Sequence, residues 1–317
     1  MILVRRSLAF LHRWLGLAFL ACLLPACLAG SVIVWKAELD AWLNPDLFYA
    51  APSGERLLTE DELEAALRAQ VPKIRVAWVE APELPGRTAY ASIGNWFDPT
   101  DPERRYNEVY LDPHTGRILG ARSIFKPRFD RREGLIFLRR IHYSLNWVPG
   151  GLTLMGWVAV LWLLDSLLGT ALSFHGGTWR RWLRAFKLRR NFWDHDLHRA
   201  GSLWLWPVVV VLAVSSIFLN LRREVFLPVL DGLQRLLPVA WRDPVENAIL
   251  EWQFPLHTGT AFGLAGRVAI SLTGLVVSLG LIAALRAWWR RGRGGRRNMP
   301  VLDSRRLESP GRLDGSE

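Results

Sequence analysis

The sequence predicts an all-α membrane protein of four transmembrane helices with an inserted extracytoplasmic α+β domain. Three observations predict it. Four apolar runs are long enough to cross a hydrocarbon core of about 30 Å, which takes about 20 helical residues. Half of the 317 residues are hydrophobic and 17 are Trp, a composition of membrane proteins more than of soluble enzymes. The formal net charge of +11 gathers beside the apolar runs, where Arg and Lys meet anionic headgroups and set topology. Basicity so placed needs no nucleic acid, and no nucleic-acid-binding motif is visible.

Residues 1–36 form a cytoplasmic start and the first transmembrane helix, because no charged side chain occurs from Trp14 to Trp35. A cleaved signal peptide is the alternative for residues 1–30, since Arg5 and Arg6 precede the run; its length and Pro25 count against that. Residues 37–138 are a domain of their own. "TEDELEAALRAQV" (59–71) places Leu63 and Leu67 at helical spacing behind a Thr59 and Glu62 capping-box pattern. After Pro72 the chain turns strand-like, and "IRVAWVEA" and "YNEVYLDPHTGRILGARS" alternate around the turn "DPHTG", giving one helix on a small antiparallel sheet.

The second transmembrane helix is drawn at 139–178, where Asp165 is the one formal charge between Ile141 and Trp179 and "WVPGG" (147–151) marks a break near one end. Residues 179–197 are a basic cytoplasmic loop. The third helix is 198–221, uncharged from Ala200, and 222–253 is an outer amphipathic loop with a surface-lying segment at 225–241. The fourth helix is 254–286, with Arg267 near one interface, and 287–317 is an Arg-rich, disordered cytoplasmic tail. Residues 180–199 hold seven Arg or Lys and 286–297 hold six Arg. By the positive-inside rule these loops and both termini are cytoplasmic.

The Asp-Pro-x-Thr-Gly turn at 112–116 behind "EVYL" resembles the end of a PepSY domain. The histidine-led helices around it, "LHRWLGL" (11–17), "DLHRAGSLW" (196–204) and "PLHTGTAFG" (255–263), resemble those of PepSY-associated transmembrane proteins over residues 8–287. The resemblance implies a bacterial inner-membrane protein linked to iron uptake and, in some members, a heme-containing ferric-siderophore reductase. It implies heme ligands at His12, His142, His198 and His257, and hence two b-type hemes.

Given heme, topology assigns the pairs. A heme held between two helices takes one neutral imidazole from each at similar depth. His12 and His198 open helices that start inside, and His142 and His257 open helices that start outside, so one pair belongs to each face. His175, at the cytoplasmic end of the second helix, is an alternative ligand. Arg13, Arg140 and Arg199 are candidate propionate partners, since guanidinium binds carboxylate bidentately. Gly16, Gly201 and Gly259, a turn or less from a histidine, would let a flat macrocycle approach the backbone.

Each of these residues also has an ordinary reading. An interfacial histidine can anchor a helix among headgroups, His195 shares a helical face with His198, and His114 fits a solvated turn. A carboxylate at Asp165 within a span must be paired, protonated or beside water. Cys22 and Cys27 read as small packing residues. No nicotinamide, phosphate-loop, zinc-protease or serine-hydrolase motif is present, so an oxidoreductase of this build takes electrons from an unidentified cytoplasmic donor: flavoprotein, reduced flavin or quinol. The acceptor implied by the resemblance is a ferric siderophore or other ferric chelate, docked on the outer domain and the 222–253 segment. The competing reading is a membrane-anchored PepSY domain that binds or restrains a partner without any cofactor. A third is a transporter subunit with Asp165 and Arg267 on a solute path.

Overall fold

The computed structural model describes residues 2–97, 105–174, 186–187, 193–236 and 238–297. The first helix, α1 (Ile2–Ile33), is followed by two short ones, α2 (Lys36–Leu43) and α3 (Pro45–Phe48). Helix α1 starts well before its uncharged run, because "ILVRRSLAFLHRW" contains no Gly or Pro and an exposed charge does not stop a helix. His12 therefore lies about three turns inside α1 and does not open it.

The inserted α+β domain contains α4 (Glu60–Gln70), β1 (Val76–Glu80), β2 (Ala89–Phe97), β3 (Arg105–Leu111) and β4 (Ile118–Arg122), the strands forming an antiparallel sheet in the order β1-β2-β3-β4. The Thr59–Glu62 capping box is present, with Thr59 N donating to Glu62 Oε2 at 2.8 Å. Leu63 and Leu67, both 0% exposed, pack on Ala89, Ala91, Val109 and Leu111 of the sheet, with Ala91 opposite Val109. Strand β2 is the element least visible in the sequence. Its buried positions are Ala89, Ala91 and Ile93, two of them too small to give a strong alternating apolar signal.

A buried ionic cluster ties this domain to the helix that leaves the first span. Arg122, 1% exposed, places Nη1 at 2.9 Å from both Asp40 carboxylate oxygens and Nε at 2.6 Å from Glu108. Its Nη2 donates to the Tyr110 hydroxyl at 2.5 Å. Burial, followed by the Glu108 charge, holds the Tyr110 phenol far above its usual range.

Helix α5 (Gly134–Ser144) ends at the left-handed Leu145, and α6 (Gly150–Ser173) begins just after Pro149. The segment 139–178 is thus not one helix: His142 sits in the last turn of α5, before the span. The 198–221 segment is broken as well, into α7 (Trp193–Trp204) and α8 (Trp206–Leu221), because Pro207 removes a backbone donor and restricts the residue before it. A five-residue π-turn, Arg222–Phe226, leads into α9 (Leu227–Gln234). Helix α10 (Val239–Thr258) occupies much of the segment read as an outer loop. It ends at Gly259, whose φ of +77° suits a left-handed cap, and α11 (Gly263–Arg297) follows. His257 is therefore in the last turn of α10, not at the opening of the final span.

The chain is mostly helical, and three helical segments are long and apolar enough to cross a membrane: Leu3–Ile33, Gly150–Ser173 and Thr260–Arg290. The pair His195–Trp204 and Trp206–Gln234, bent by 73°, makes a fourth if taken as one span. Trp14, Leu164 and Leu272 are at least half exposed on these helices, which lipid accommodates and water does not. Inward faces pack closely. Gly274 lies against Ser31 and the Cys27 carbonyl, so α11 meets α1 at a small residue, and the Trp35 indole donates to Ser271 Oγ at 2.8 Å. Arg267 grips Glu38 through both carboxylate oxygens at 2.6 and 2.7 Å and stacks on Trp35. Cys22 and Cys27 are free thiols.

Candidate functional site

Four of the histidines come together as two pairs. His12 on α1 faces His198 on α7, with ring centroids 6.0 Å apart and planes tilted by 34°. His142 on α5 faces His257 on α10, at 5.8 Å and 58°. In each pair the rings come from helices distant in sequence, so neither could be assembled by local folding alone.

Helix α1 measures the separation of the two pairs. His12 belongs to the first, while the Ala26 carbonyl on the same helix bonds His142 at 2.8 Å. The 14 positions from His12 to Ala26 make roughly 21 Å of helix. The two pairs are therefore well separated along α1.

Each ring is held from behind. His12 Nδ1 stands 2.8 Å from Asp165 Oδ1 on α6, and Asp165 is 6% exposed. His142 Nδ1 bonds the Ala26 carbonyl. His257 Nδ1 lies 2.9 Å from Ser215 Oγ, whose own hydrogen goes to the Val211 carbonyl at 2.7 Å, so the hydroxyl oxygen accepts from the imidazole. Behind the His198 ring lies Gly280, where an added Cβ would stand 3.9 Å from Nδ1. For His12, His142 and His257 the Nδ1 proton is thereby engaged and Nε2 keeps the ring's lone pair, the arrangement in which histidine ligates a metal.

Glycines give the rings their space, but not those one turn along from each histidine. A Cβ at Gly30 would stand 2.9 Å from the His142 ring, one at Gly169 3.0 Å from His12, and one at Gly280 3.9 Å from His198 Nδ1. All three sit on neighbouring helices. Gly16 instead packs near Asp165, Gly201 near Val276, and Gly259 closes α10 against Gly266.

The remaining candidates separate. Arg140 is buried and spends its guanidinium on Asn146 Oδ1 at 2.8 Å and the Ile124 carbonyl at 3.1 Å, which fixes the end of α5 and leaves it a poor propionate partner. Arg199 pairs with the buried Asp196 at 3.1 Å, and Arg13 is exposed on α1. His175 lies outside the described residues. His195 points its Nδ1 at Asp196, 3.4 Å away. His114 closes the turn, bonding the Arg56 carbonyl at 3.2 Å, while Asp112 accepts from the His114 and Thr115 amides. Burial pushes the Asp112 carboxyl up, yet those amides outweigh it and hold it below its usual value.

Sequence reasoning missed the partners of the rings. Asp165 stood out as an intramembrane carboxylate, but nothing in one sequence connected it to a histidine 153 positions away. Ser215, Ala26, Gly30 and Gly169 carry no signal at all, since a serine, alanine or glycine in an apolar helix is commonplace. Asp165 and Arg267, joined in the transporter reading, belong to two separate ion pairs.

Among the described residues no group of three or more His, Cys, Asp and Glu side chains is placed to hold a metal ion. Each histidine pair offers two nitrogen donors. No curated protein matches the chain, but the family profile for the PepSY-associated TM region matches residues 9–236 and 232–291. With nearly the whole length accounted for, this membrane protein belongs to the PepSY-associated transmembrane family.

Proposed function

We propose that the chain is a two-heme electron conduit of the bacterial inner membrane, with four crossings, both termini in the cytoplasm and the α+β domain in the periplasm. The observation that carries this is the presence of two facing imidazole pairs set roughly 21 Å apart along α1. Two imidazoles that share one metal from opposite sides, each about 2 Å from it, have centroids about 6 Å apart. The measured 6.0 and 5.8 Å fit that spacing. Two protein donors do not close a structural zinc site, which takes four ligands; a metal held here must bring its other ligands with it, as a porphyrin does.

His12 and His198 would hold the inner heme, and His142 and His257 the outer one. Asp165, Ala26 and Ser215 keep the His12, His142 and His257 rings in one orientation, and Gly30 and Gly169 leave room behind His142 and His12. Heme, when bound, supplies a one-electron iron couple whose potential follows its ligands and their surroundings. The basic flanks at 180–199 and 286–297 keep the first pair on the cytoplasmic side, where an electron donor docks. The outer pair then faces a periplasmic acceptor. A ferric siderophore or other ferric chelate is the acceptor most consistent with the family, since reduction to Fe(II) loosens the hold of hard oxygen ligands.

The test is the absorption spectrum of the full chain purified in mild detergent from heme-replete cells, with a pyridine hemochrome assay. About two b-type hemes per chain, the number two ligand pairs require, is the expected result. Alanine at His12 or His198 should remove one heme, and alanine at His142 or His257 the other. A colourless, folded protein would leave a membrane-anchored binding domain as the better reading.

A further inference from the structure

Resting on the two-heme reading, we propose that Asp165 is a positioning residue that sets the potential of the His12–His198 site below that of the His142–His257 site, so that electrons run downhill from the cytoplasmic to the periplasmic face. The groups that bond the rings differ in charge between the two sites. Behind His12 stands a carboxylate, with Asp165 Oδ1 2.8 Å from Nδ1. Behind His142 and His257 stand a neutral carbonyl and a neutral hydroxyl, Ala26 O at 2.8 Å and Ser215 Oγ at 2.9 Å.

An anionic acceptor draws the Nδ1 proton toward itself and makes Nε2 a stronger donor to a metal. Its charge, in a medium of low dielectric constant, favours the more positive oxidised iron and lowers the potential. On α7, among the described residues, Asp196 and Arg199 pair at 3.1 Å, and Arg13 is exposed on α1. Among the described residues, Asp165 is the carboxylate that bonds one of the four paired rings, and its helix carries no other formal charge from Gly150 to Ser173.

Per turnover a reduced flavin or quinol at the cytoplasmic face would lose one electron and a proton, leaving its semiquinone, and one Fe(III) chelate outside would gain that electron to become Fe(II). No covalent bond is made or broken in the protein. The difference between the sites only biases the direction.

The experiment is a potentiometric titration of the purified full chain, followed in the visible spectrum, for the wild type, Asp165→Asn and Asp165→Glu. Two components of separate midpoint are expected. Asp165→Asn, which keeps the shape and removes the charge, should raise the lower midpoint by at least a tenfold change in the reduced-to-oxidised ratio, about 59 mV for one electron, and leave the upper one in place. Asp165→Glu should keep the lower midpoint low. Unmoved midpoints, or an equal shift of both, would overturn the assignment while leaving two-heme binding intact. If Asp165→Asn releases a heme outright, the Glu variant decides: a retained low midpoint supports the proposal and a rise to the upper midpoint overturns it. A wild type without heme overturns this inference together with the reading beneath it.

Discussion

Gly30 on α1 lies directly against the ring of His142: a Cβ built there would stand 2.9 Å from both Nδ1 and Cε1. That is closer than real Cβ contacts come, so any side chain at position 30 must displace the imidazole from its place against α1. Gly30→Leu should therefore empty the outer site and spare the inner one, with heme per chain falling from about two to about one. Gly169→Leu, beside His12, should do the same to the inner site. Hemochrome stoichiometry checks both, and an unchanged count for either would show that the glycine does not govern its ring.

Ser215 acts on the outer pair more gently. With its hydrogen committed to the Val211 carbonyl, its oxygen accepts from His257 Nδ1. Ser215→Ala removes that acceptor and frees the tautomer. Loss of such a supporting hydrogen bond typically costs 10–100-fold in affinity, roughly 1.4–2.7 kcal/mol. Transfer of heme to an apoprotein acceptor should accordingly become faster for one heme and not the other.

The buried ionic cluster predicts a stability change without reference to any cofactor. Arg122→Met would take the guanidinium from both Asp40, 1% exposed, and Glu108, and leave Asp40 with Lys36, 3.2 Å away, as its cation. Breaking a buried pair from one side costs about 3–5 kcal/mol. Limited proteolysis of the full chain should then cut within residues 37–138 at lower protease concentration than in the wild type. Adding Asp40→Leu should recover part of the loss, because an apolar pair of similar volume avoids the desolvation penalty.

Tyr90 predicts the alkaline behaviour of the same domain. Burial first, and the Glu108 carboxylate second, push its phenol up to about 12. Because the folded value lies above the ordinary ~10, the contribution of the neutral phenol is whole below about pH 10 and is lost as pH rises through about 12. The tyrosinate absorbance of the folded chain should show a late step that Tyr90→Phe removes. A step centred at about pH 10 for Tyr90 would place it in ordinary solvent.

Some elements were legible from residues alone, and for identifiable reasons. Thr59, Glu62, Leu63 and Leu67 announce α4 because a capping box and helical spacing are local interactions. Long uncharged runs announce spans because a backbone in lipid must satisfy its own hydrogen bonds. Boundaries were harder: α1 runs on to Ile2 through charged residues, and 198–221 breaks at Pro207, where a proline in an otherwise apolar run was outweighed by composition. Strand β2 hid behind Ala89 and Ala91, whose small side chains are buried because the sheet is closely covered there.

The sequence by itself determined that this chain is a membrane protein with basic flanks beside its apolar runs, an inserted α+β domain and histidines near the ends of those runs, since hydropathy, charge and capping act over a few turns. Only the tertiary structure decided which atoms stand behind each ring. Asp165 reaches His12, Ala26 and Gly30 meet His142, and Ser215 holds His257 through contacts between helices far apart in the chain. Such contacts depend on how helices rotate and slide against one another, which the side chains at every interface settle together and no single stretch of residues encodes.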